Sequence, residues 1–217
     1  MYNASMKPVR FEIRICNTCG LRYPMAEGNA FGVRCPACMG ETRLILRRQL
    51  IRETEPALPE SLPLRRKKRD TSRAVLLDNI RSAWNVGSIL RTAEGFGFAH
   101  AYCCGITPTP ENQAVTKTSL GAEEWITWSY HKDAVKLIKG LKQNGWKVYA
   151  LEDDARAIPL KKKKSTGNAV LIVGNEVTGI DPELLDLCDA VYYIPMRGAK
   201  KSFNAAIAFG IAAFALG

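Results

Sequence analysis

The sequence lacks several features that would assign it to a common class of protein. Its first eight residues contain no apolar run of the kind that a secretory signal requires. The most apolar segment, residues 205–217, has 13 residues, whereas a membrane-spanning helix needs about 20. Neither a G-x-G-x-x-G motif after the first strand of the α/β region nor a Walker loop is present, which disfavours an ordinary dinucleotide site. These absences predict a cytoplasmic protein without a membrane segment.

Positive charge is concentrated in the first third of the sequence. Residues 1–72 hold 14 Lys and Arg against 7 Asp and Glu, whereas the remaining residues hold 17 against 14, and the net charge is +10. This asymmetry predicts a polyanionic partner such as nucleic acid, with a basic solvated surface as the alternative. The 217 residues, 47% of them hydrophobic, allow one domain with an appendage or two small domains.

Four of the seven cysteines have the spacing of a metal site. Two C-x2-C pairs separated by fifteen residues can converge on one tetrahedral ion; zinc is the expected metal and iron the alternative. Disulfides are disfavoured because a cytoplasmic chain rarely keeps them. We therefore predict a zinc ribbon over residues 1–50, in which the metal supplies structure rather than catalysis. The predicted ligands are Cys16, Cys19, Cys35 and Cys38, the predicted strands are residues 11–15 and 43–46, and the expected inert core thiols are Cys103, Cys104 and Cys188.

The segment from residue 51 to residue 72 has the composition of a linker. It contains three prolines, little periodicity and a run of five cations at residues 65–69. The run could neutralise RNA phosphates or could only keep a tether solvated, and we favour the first because the adjoining ribbon is itself basic. Residues 1–50 are therefore expected to bind RNA, and residues 73–217 are expected to form a second domain.

Beyond residue 72, short apolar strands alternate with helical patterns. Alternation of this kind predicts an α/β fold, a mostly parallel sheet with helices on both faces, in which ligands bind at the carboxyl ends of the strands. The predicted strands are residues 74–77, 101–104, 125–128, 147–151, 169–173 and 190–194. The predicted helices are residues 86–96, 112–120, 133–143, 182–187 and 202–217.

Polar residues follow three of these strands. Asn85 and Arg91 follow the first, and Glu176 follows the strand that ends at Gly174, where a glycine allows close backbone approach. The last strand leads into a cationic loop and then to Ser202, which we expect to cap the final helix. Ordinary roles are the alternatives: a surface charge for Arg91, its ion-pair partner for Glu176, and helix caps for Asn85 and Asn204.

Three motifs together resemble a known family. NVGSILRTA, LIVGNEVTGI and YIPMRGAKKSFNAA occur in the order and with the separations of the motifs of the SpoU (TrmH-like) branch of the SPOUT RNA methyltransferases. GITPTPENQAVTKTSLGAE, between the first two, also resembles the family. The resemblance covers residues 73–217. It implies a C-terminal trefoil knot, S-adenosylmethionine bound in a bent form within the knot, a homodimer, and methylation of a ribose 2′-hydroxyl in tRNA or rRNA.

The resemblance also implies a set of site residues. By position in the motifs, the catalytic set is Asn85, Arg91, Glu176, Ser202 and Asn204. The cofactor contacts, made largely through the backbone, are Gly174, Ile194, Met196 and Phe203. Phe203 stands where leucine is usual and Val177 where glycine is common, and these departures bear on substrate shape. The ribbon stands where many relatives have a substrate-binding domain, which bears on the RNA target.

Methyl transfer from a sulfonium to a hydroxyl depends mainly on alignment, because the in-line displacement discharges the cation. The ribose hydroxyl is a weak acid whose proton must be removed or screened. Arginine, with a pKa above about 12, is a poor base, so we expect Arg91 to clamp a substrate phosphate and the developing alkoxide. The family proposal that Arg91 is the base requires strong desolvation. Ser202 and Asn204 are expected to orient the ribose or the loop, and Glu176 to position Arg91 or the substrate.

Two classes of function remain open at this point. One is an RNA 2′-O-ribose methyltransferase, of which base methylation would be a variant. The other is a zinc-ribbon RNA-binding protein whose knotted domain is inactive and serves for dimerisation. The final helix is apolar on every side and must be buried all round, which favours a homodimer under either hypothesis.

Overall fold

The chain divides into two units, residues 1–67 and 68–217, which are described separately. The computed structural model describes residues 9–29, 32–50, 72–162, 167–200 and 202–216. The predicted linker, with its cationic run at residues 65–69, lies outside the described residues except for Ser72.

The N-terminal unit is built on a three-stranded antiparallel sheet. Its strands are β1 (Val9–Cys16), β2 (Arg22–Ala26) and β3 (Thr42–Leu50), in the order β2-β1-β3. The two strands predicted for the ribbon lie within β1 and β3. The sequence analysis missed β2, because a five-residue segment with a central proline gives a weak strand pattern. A proline is tolerated there because β2 is an edge strand, where an N–H can be absent without loss of a ladder bond.

The C-terminal unit contains a seven-stranded sheet in which all pairs of neighbours are parallel, in the order β6-β5-β4-β9-β7-β10-β8. The central pair, β4 and β9, reads as continuous apolar sequence because both faces are covered. The predicted parallel sheet is therefore confirmed, and the trefoil knot stays a prediction. The strands are β4 (Arg73–Asp78), β5 (His100–Cys104), β6 (Thr127–His131), β7 (Lys147–Leu151), β8 (Ile158–Pro159), β9 (Ala169–Gly174) and β10 (Ala190–Tyr193).

Helices cover both faces of this sheet, as predicted, and alternate strand residues point into two separate cores. Val75 and Leu77 of β4 pack in a core with α1, α2 and α5, whereas Ala74 and Leu76 pack in the core that α3 and α4 cover. The helices are α1 (Ala83–Gly95), α2 (Gln113–Ser119), α3 (Ala134–Gln143), α4 (Pro182–Asp186) and α5 (Ala205–Ala215).

Two predicted boundaries were wrong and one strand was missed, each for an identifiable reason. Helix α1 begins at Ala83, three residues earlier than predicted, because the Ser82 hydroxyl caps it by accepting from the Asn85 N–H at 3.3 Å. Strand β6 begins at Thr127, because Trp125 closes a short 3₁₀ turn instead of starting a strand. The two-residue strand β8 was not predicted, since two residues carry no periodicity.

Helix α5 is buried on one side only within a single chain, so one chain does not supply the burial all round that its apolar sequence predicts, and the homodimer stays a prediction. Phe209, Ala212 and Ala213 are buried, whereas Ile207 is 56% exposed and Phe214 is 61% exposed. Among the described residues, none of the helices combines the length and apolarity that crossing a membrane requires.

Candidate active site

A cavity of about 780 Å³ lies at the carboxyl ends of β7, β9 and β10, where the predicted fold places a ligand. Its apolar lining comes from strand ends and from the loop that leads to α5: Leu151, Val173, Tyr193, Ile194, Met196 and Phe203. Its polar lining is Glu152, Asp153, Asn175, Glu176, Lys200, Ser202 and Asn204. The dimensions are those of a pocket for a small organic ligand.

Gly174, at the end of β9, lines the cavity and brings two backbone segments together. A Cβ atom at this position would lie 2.5 Å from the carbonyl carbon of Gly179 and 2.5 Å from the amide nitrogen of Ile180. Only a glycine therefore permits the close approach of β9 to the turn at residues 175–179. Asn175 closes this turn, since its side-chain oxygen accepts from the N–H groups of Val177 and Thr178.

Glu176 projects from this turn to the N-terminus of α1. Its carboxylate accepts from the backbone N–H groups of Arg81 at 2.9 Å and Ser82 at 3.1 Å, and from Asn85 Nδ2 at 2.9 Å. Partial burial would raise the pKa of Glu176, but the hydrogen bonds, of which that from Arg81 is the strongest, outweigh it and hold the pKa below its ordinary value. The carboxylate is therefore ionised at neutral pH. The alternative that Glu176 pairs with Arg91 is wrong, because its partners are at the start of α1.

Asn204 joins this cluster from the C-terminal segment. Its Nδ2 donates to Asn85 Oδ1 at 3.0 Å, and its Oδ1 accepts from the N–H groups of Ala206 and Ile207. Asn204 is therefore the N-cap of α5, and the prediction that Ser202 caps this helix is wrong. The result is a continuous chain of hydrogen bonds, Asn204 to Asn85 to Glu176, which connects residues far apart in sequence at the edge of the cavity.

A smaller cavity of about 290 Å³ shares Glu176 and Val177 with the first. Its remaining lining is Arg81, Ser82 and Asn85. Two spaces of different size therefore meet at Glu176, and the cationic side chain of Arg81 borders the smaller one.

The structure brings together four of the five predicted catalytic residues and leaves Arg91 apart. Asn85, Glu176, Ser202 and Asn204 line one or both cavities, and so do the predicted cofactor contacts Gly174, Ile194, Met196 and Phe203. Arg91 is exposed on α1, six residues and about 9 Å along the helix axis from Asn85, and it lines neither of these cavities. Arg91 shares its side of the helix with Trp84, seven residues earlier, which is 61% exposed.

Sequence reasoning missed two carboxylates of the larger cavity, Glu152 and Asp153. They directly follow β7, and Glu152 Oε2 accepts from the Ile180 N–H at 2.9 Å, which ties β7 to the end of the Gly174 turn. Their position after a predicted strand was the available signal. It was weak because acidic residues after strands are common on ordinary surfaces.

In the N-terminal unit, the four predicted metal ligands converge. The Sγ atoms of Cys16, Cys19, Cys35 and Cys38 all lie within 4.8 Å of one another. The Cys16–Cys38 sulfur distance is 3.5 Å and the Cys19–Cys35 distance is 3.6 Å, close to the edge of a tetrahedron around an ion with metal–sulfur bonds of about 2.3 Å. Backbone N–H groups of Cys19 and Thr18 donate to Cys16 Sγ, which lowers the pKa of that thiol and favours the thiolate. The donor set therefore fits a tetrahedral metal ion.

The parallel sheet and the cavity at its carboxyl edge define an α/β ligand-binding domain. Comparison with known proteins then identifies it: the SpoU rRNA Methylase family model matches residues 72–214, and the chain belongs to this family. The sequence-based resemblance is thereby confirmed, and of the two classes of function that were open it favours the RNA methyltransferase.

Two relatives show how the family likeness is distributed along the chain. A tRNA (guanosine(18)-2′-O)-methyltransferase of Thermus thermophilus is 32% identical over 153 residues, which cover 70% of this chain and 76% of the relative. A 23S rRNA (guanosine-2′-O-)-methyltransferase of Acinetobacter baylyi is 28% identical over 67% of this chain and 59% of the relative. In both cases about a third of this chain lies outside the match.

Two solved structures share the fold. An AdoMet-bound rRNA methyltransferase from Sinorhizobium meliloti superposes with a TM-score of 0.62 and 28% identity, over 66% of this chain and 55% of that one. A TrmH/SpoU tRNA modifying enzyme from Aquifex aeolicus superposes with a TM-score of 0.59 and 26% identity, over 67% of this chain and 73% of that one. The chain thus spans little more than half the length of the first structure.

The hydrogen bond between Asn85 and Glu176 leads us to predict how the stability of an Asn85 variant depends on pH. Because the pKa of Glu176 is lowered on folding, its contribution to stability is present above the unfolded pKa and is lost as the pH falls through the folded value. Asn85→Asp would keep the acceptor for Asn204 but place a second carboxylate against Glu176. We expect a loss of about 1 kcal/mol in the free energy of unfolding at pH 7, and a smaller loss near pH 4, where one of the two carboxylates is protonated.

The matched control is Asn112→Asp. Asn112 caps α2 by accepting from the Ala114 N–H, and aspartate is an equally good cap, so the same charge change should have little effect. Denaturant unfolding at the two pH values measures both variants. Equal losses for the two variants, or a loss in Asn85→Asp that does not depend on pH, would contradict the role given to Glu176.

Proposed function

We propose that the protein is an S-adenosylmethionine-dependent RNA methyltransferase that methylates a ribose 2′-hydroxyl of tRNA or rRNA. The observation that carries the proposal is the hydrogen-bonded chain Asn204–Asn85–Glu176 at the meeting point of two cavities, in a domain of the SpoU family. The named activities of the Thermus thermophilus and Acinetobacter baylyi relatives support it. A cytoplasmic location, expected from the sequence, is part of the proposal.

The larger cavity fits S-adenosylmethionine. The ligand carries a sulfonium and an ammonium group, and the cavity presents the carboxylates of Glu152, Asp153 and Glu176, with Lys200 as the single cation among the lining residues that the structure describes. Gly174 brings backbone donors and acceptors of the neighbouring turn to the cavity wall. When bound, S-adenosylmethionine supplies an electrophilic methyl group on a cationic sulfur.

The smaller cavity is the entrance that we propose for the substrate nucleotide. Arg81 borders it and can neutralise a phosphate, while Asn85 of this cavity and Ser202 of the larger one offer polar atoms that can orient a ribose. Glu176 is ionised but already accepts three hydrogen bonds, and its lowered pKa makes it a weak base. Its role is to hold α1 and Asn85 in place. Alignment of the ribose and screening of charge therefore account for the catalysis better than a strong side-chain base does.

The first test is methyl transfer itself. The purified protein, given S-adenosylmethionine and total RNA from its own cell, should produce a 2′-O-methylated nucleotide that mass spectrometry of nuclease digests identifies.

Gly174→Ala should lower the affinity for S-adenosylmethionine at least about tenfold, because a Cβ atom would displace backbone of the cavity wall. Gly140→Ala on α3, where a Cβ atom meets no atom within 4 Å, is the control and should bind normally.

A wild-type protein that binds S-adenosylmethionine but modifies no RNA would favour the inactive dimerisation platform. A methylated base instead of a methylated ribose would keep the class of enzyme and change the acceptor.

A homodimer is the second part of the proposal. Both α1 and α5 have exposed apolar side chains, among them Trp84, Ile207 and Phe214, and Phe96 at the end of α1 contacts the ring of Phe214; a second copy would cover these side chains. Arg91 lies on the same exposed side of α1 as Trp84. We propose that Arg91 reaches the substrate across this interface and clamps a phosphate at the cavities of the partner.

Co-expression of two impaired variants, assayed at an S-adenosylmethionine concentration too low to saturate Gly174→Ala, tests this arrangement. Arg91→Ala should keep fold and S-adenosylmethionine affinity but lose about 10²- to 10³-fold in rate, as for other positioned charge-stabilising groups. If Arg91 acts across the interface, co-expression of Arg91→Ala with Gly174→Ala should restore about a quarter of the wild-type rate, because half of the dimers are mixed and each has one intact site. A mixture no more active than the separate variants would place Arg91 at its own chain's site or outside catalysis.

The metal is the third part of the proposal. We propose that Cys16, Cys19, Cys35 and Cys38 bind one structural zinc per chain, which folding of residues 10–50 requires. Elemental analysis should find one zinc in the wild-type protein and in Cys188→Ser, whose thiol lies outside the cluster, but none in Cys16→Ser. A wild-type protein purified without zinc or iron would contradict this proposal.

A further inference from the structure

The two faces of the N-terminal sheet differ in how their arginines are paired. On one face, which we call the paired face, Glu12 is only 5% exposed and accepts from Arg14 Nη1 at 2.7 Å and from Arg47 Nη2 at 2.6 Å. Arg10, on the same side of β1, lies 4.0 Å from Glu27, which also contacts Arg47. Carboxylates therefore neutralise most of the positive charge of this face.

The opposite face, which we call the open face, combines arginines with an apolar stripe. Strand alternation places Phe11, Ile13 and Ile15 of β1 on this face, between β2 and β3. The register then places a cation beside each end of the stripe: Arg48 lies opposite Phe11, and Arg22 and Arg43 lie opposite Ile15 on either side. All three arginines are exposed, and none forms a salt bridge with another residue of the described part of the chain.

We propose that the open face is the surface by which the N-terminal unit docks RNA. The inference rests on the proposed function, which makes RNA the substrate. Three guanidinium groups without carboxylate partners are suited to phosphates, and displacement of counterions from RNA then favours binding. The stripe between them, with the Phe11 ring at one end, offers a surface on which bases can stack.

Charge complementarity favours RNA over a second copy of the chain as the occupant. If the open faces of two copies came together, the three arginines of one copy would repel the three of the other. A polyanion would instead neutralise the three arginines of a single open face. The paired face has no such excess of cations, since Glu12 and Glu27 lie among its arginines. The same sheet therefore contains both a candidate surface and an internal control.

The test compares arginines from the two faces. Arg48→Ala and Arg10→Ala remove the same charge from exposed positions of neighbouring strands, one from each face. Binding of unfractionated tRNA is measured by fluorescence anisotropy over a range of salt concentrations. Arg48→Ala should reduce the slope of log affinity against log salt by about 0.7 to 0.9, and the triple variant Arg22→Ala/Arg43→Ala/Arg48→Ala by about two to three times as much. Arg10→Ala should leave the slope unchanged.

A further variant separates stacking from charge. Phe11→Leu retains an apolar side chain on β1 but removes the ring, so it should weaken tRNA binding about fivefold or more without a change in the salt slope. Zinc content and circular dichroism equal to wild type show that a variant is folded. If the triple variant loses zinc, the single variants decide the result.

Several outcomes would overturn the proposal. Equal effects of Arg48→Ala and Arg10→Ala would show that the open face has no special role. A changed molecular mass of the triple variant in light scattering would show that the face contacts a second copy. Wild-type tRNA affinity in the triple variant, together with normal methyl transfer, would refute the docking surface and leave the enzyme assignment intact. Conversely, the expected loss of binding in a protein that transfers no methyl group would refute the enzyme assignment alone.

Discussion

The carboxylate of Glu176 is the contact on which the candidate site depends. It binds two backbone N–H groups at the start of α1 and the side chain of Asn85, and Asn85 in turn binds Asn204 at the start of α5. One anion therefore satisfies donors that the helix cannot satisfy itself, and it fixes the β9 turn and both helices relative to one another. The position is also electrostatically favourable, because the N-terminus of a helix attracts negative charge.

The close approach at Gly174 makes this contact possible. Because β9 ends on a residue without a side chain, the turn at residues 175–179 folds back against the strand, and Glu176 is presented at the edge of the sheet. Asn175 reinforces the turn and donates to the carbonyl of Asn79 at 2.7 Å, which joins the ends of β4 and β9. The two cavities thus border a rigid turn, which suits a reaction that depends on alignment.

Apolar periodicity predicted most of the fold, and the errors arose at helix caps, at a 3₁₀ turn and at two short strands with weak patterns. Strand β9 was correctly located because a fully buried parallel strand reads as a continuous apolar run. At α5, both Ser202 and Asn204 have side chains suited to capping, and only the contact with Asn85, 119 residues away, selects Asn204. The local sequence also could not show that Arg91 lies apart from the other catalytic candidates. Six residues along α1 turn its side chain to a different side of the helix from that of Asn85. The polar cluster could be predicted only through the family motifs, because each member alone has an ordinary explanation.

The parallel arrangement of β4 and β9 has a consequence for the order of events during synthesis. Arg81 and Glu176 are 95 residues apart, so at about 5 to 20 residues per second the ribosome needs roughly 5 to 20 s between them. During that interval β4 has no partner on one side and the start of α1 has no anion to bind. The lining of the larger cavity comes from residues 151–208, so a nascent chain can form it only after residue 208 has been synthesised. A product that ends before residue 208 therefore lacks part of the ligand site, whereas the strands of the N-terminal sheet are all synthesised by residue 50.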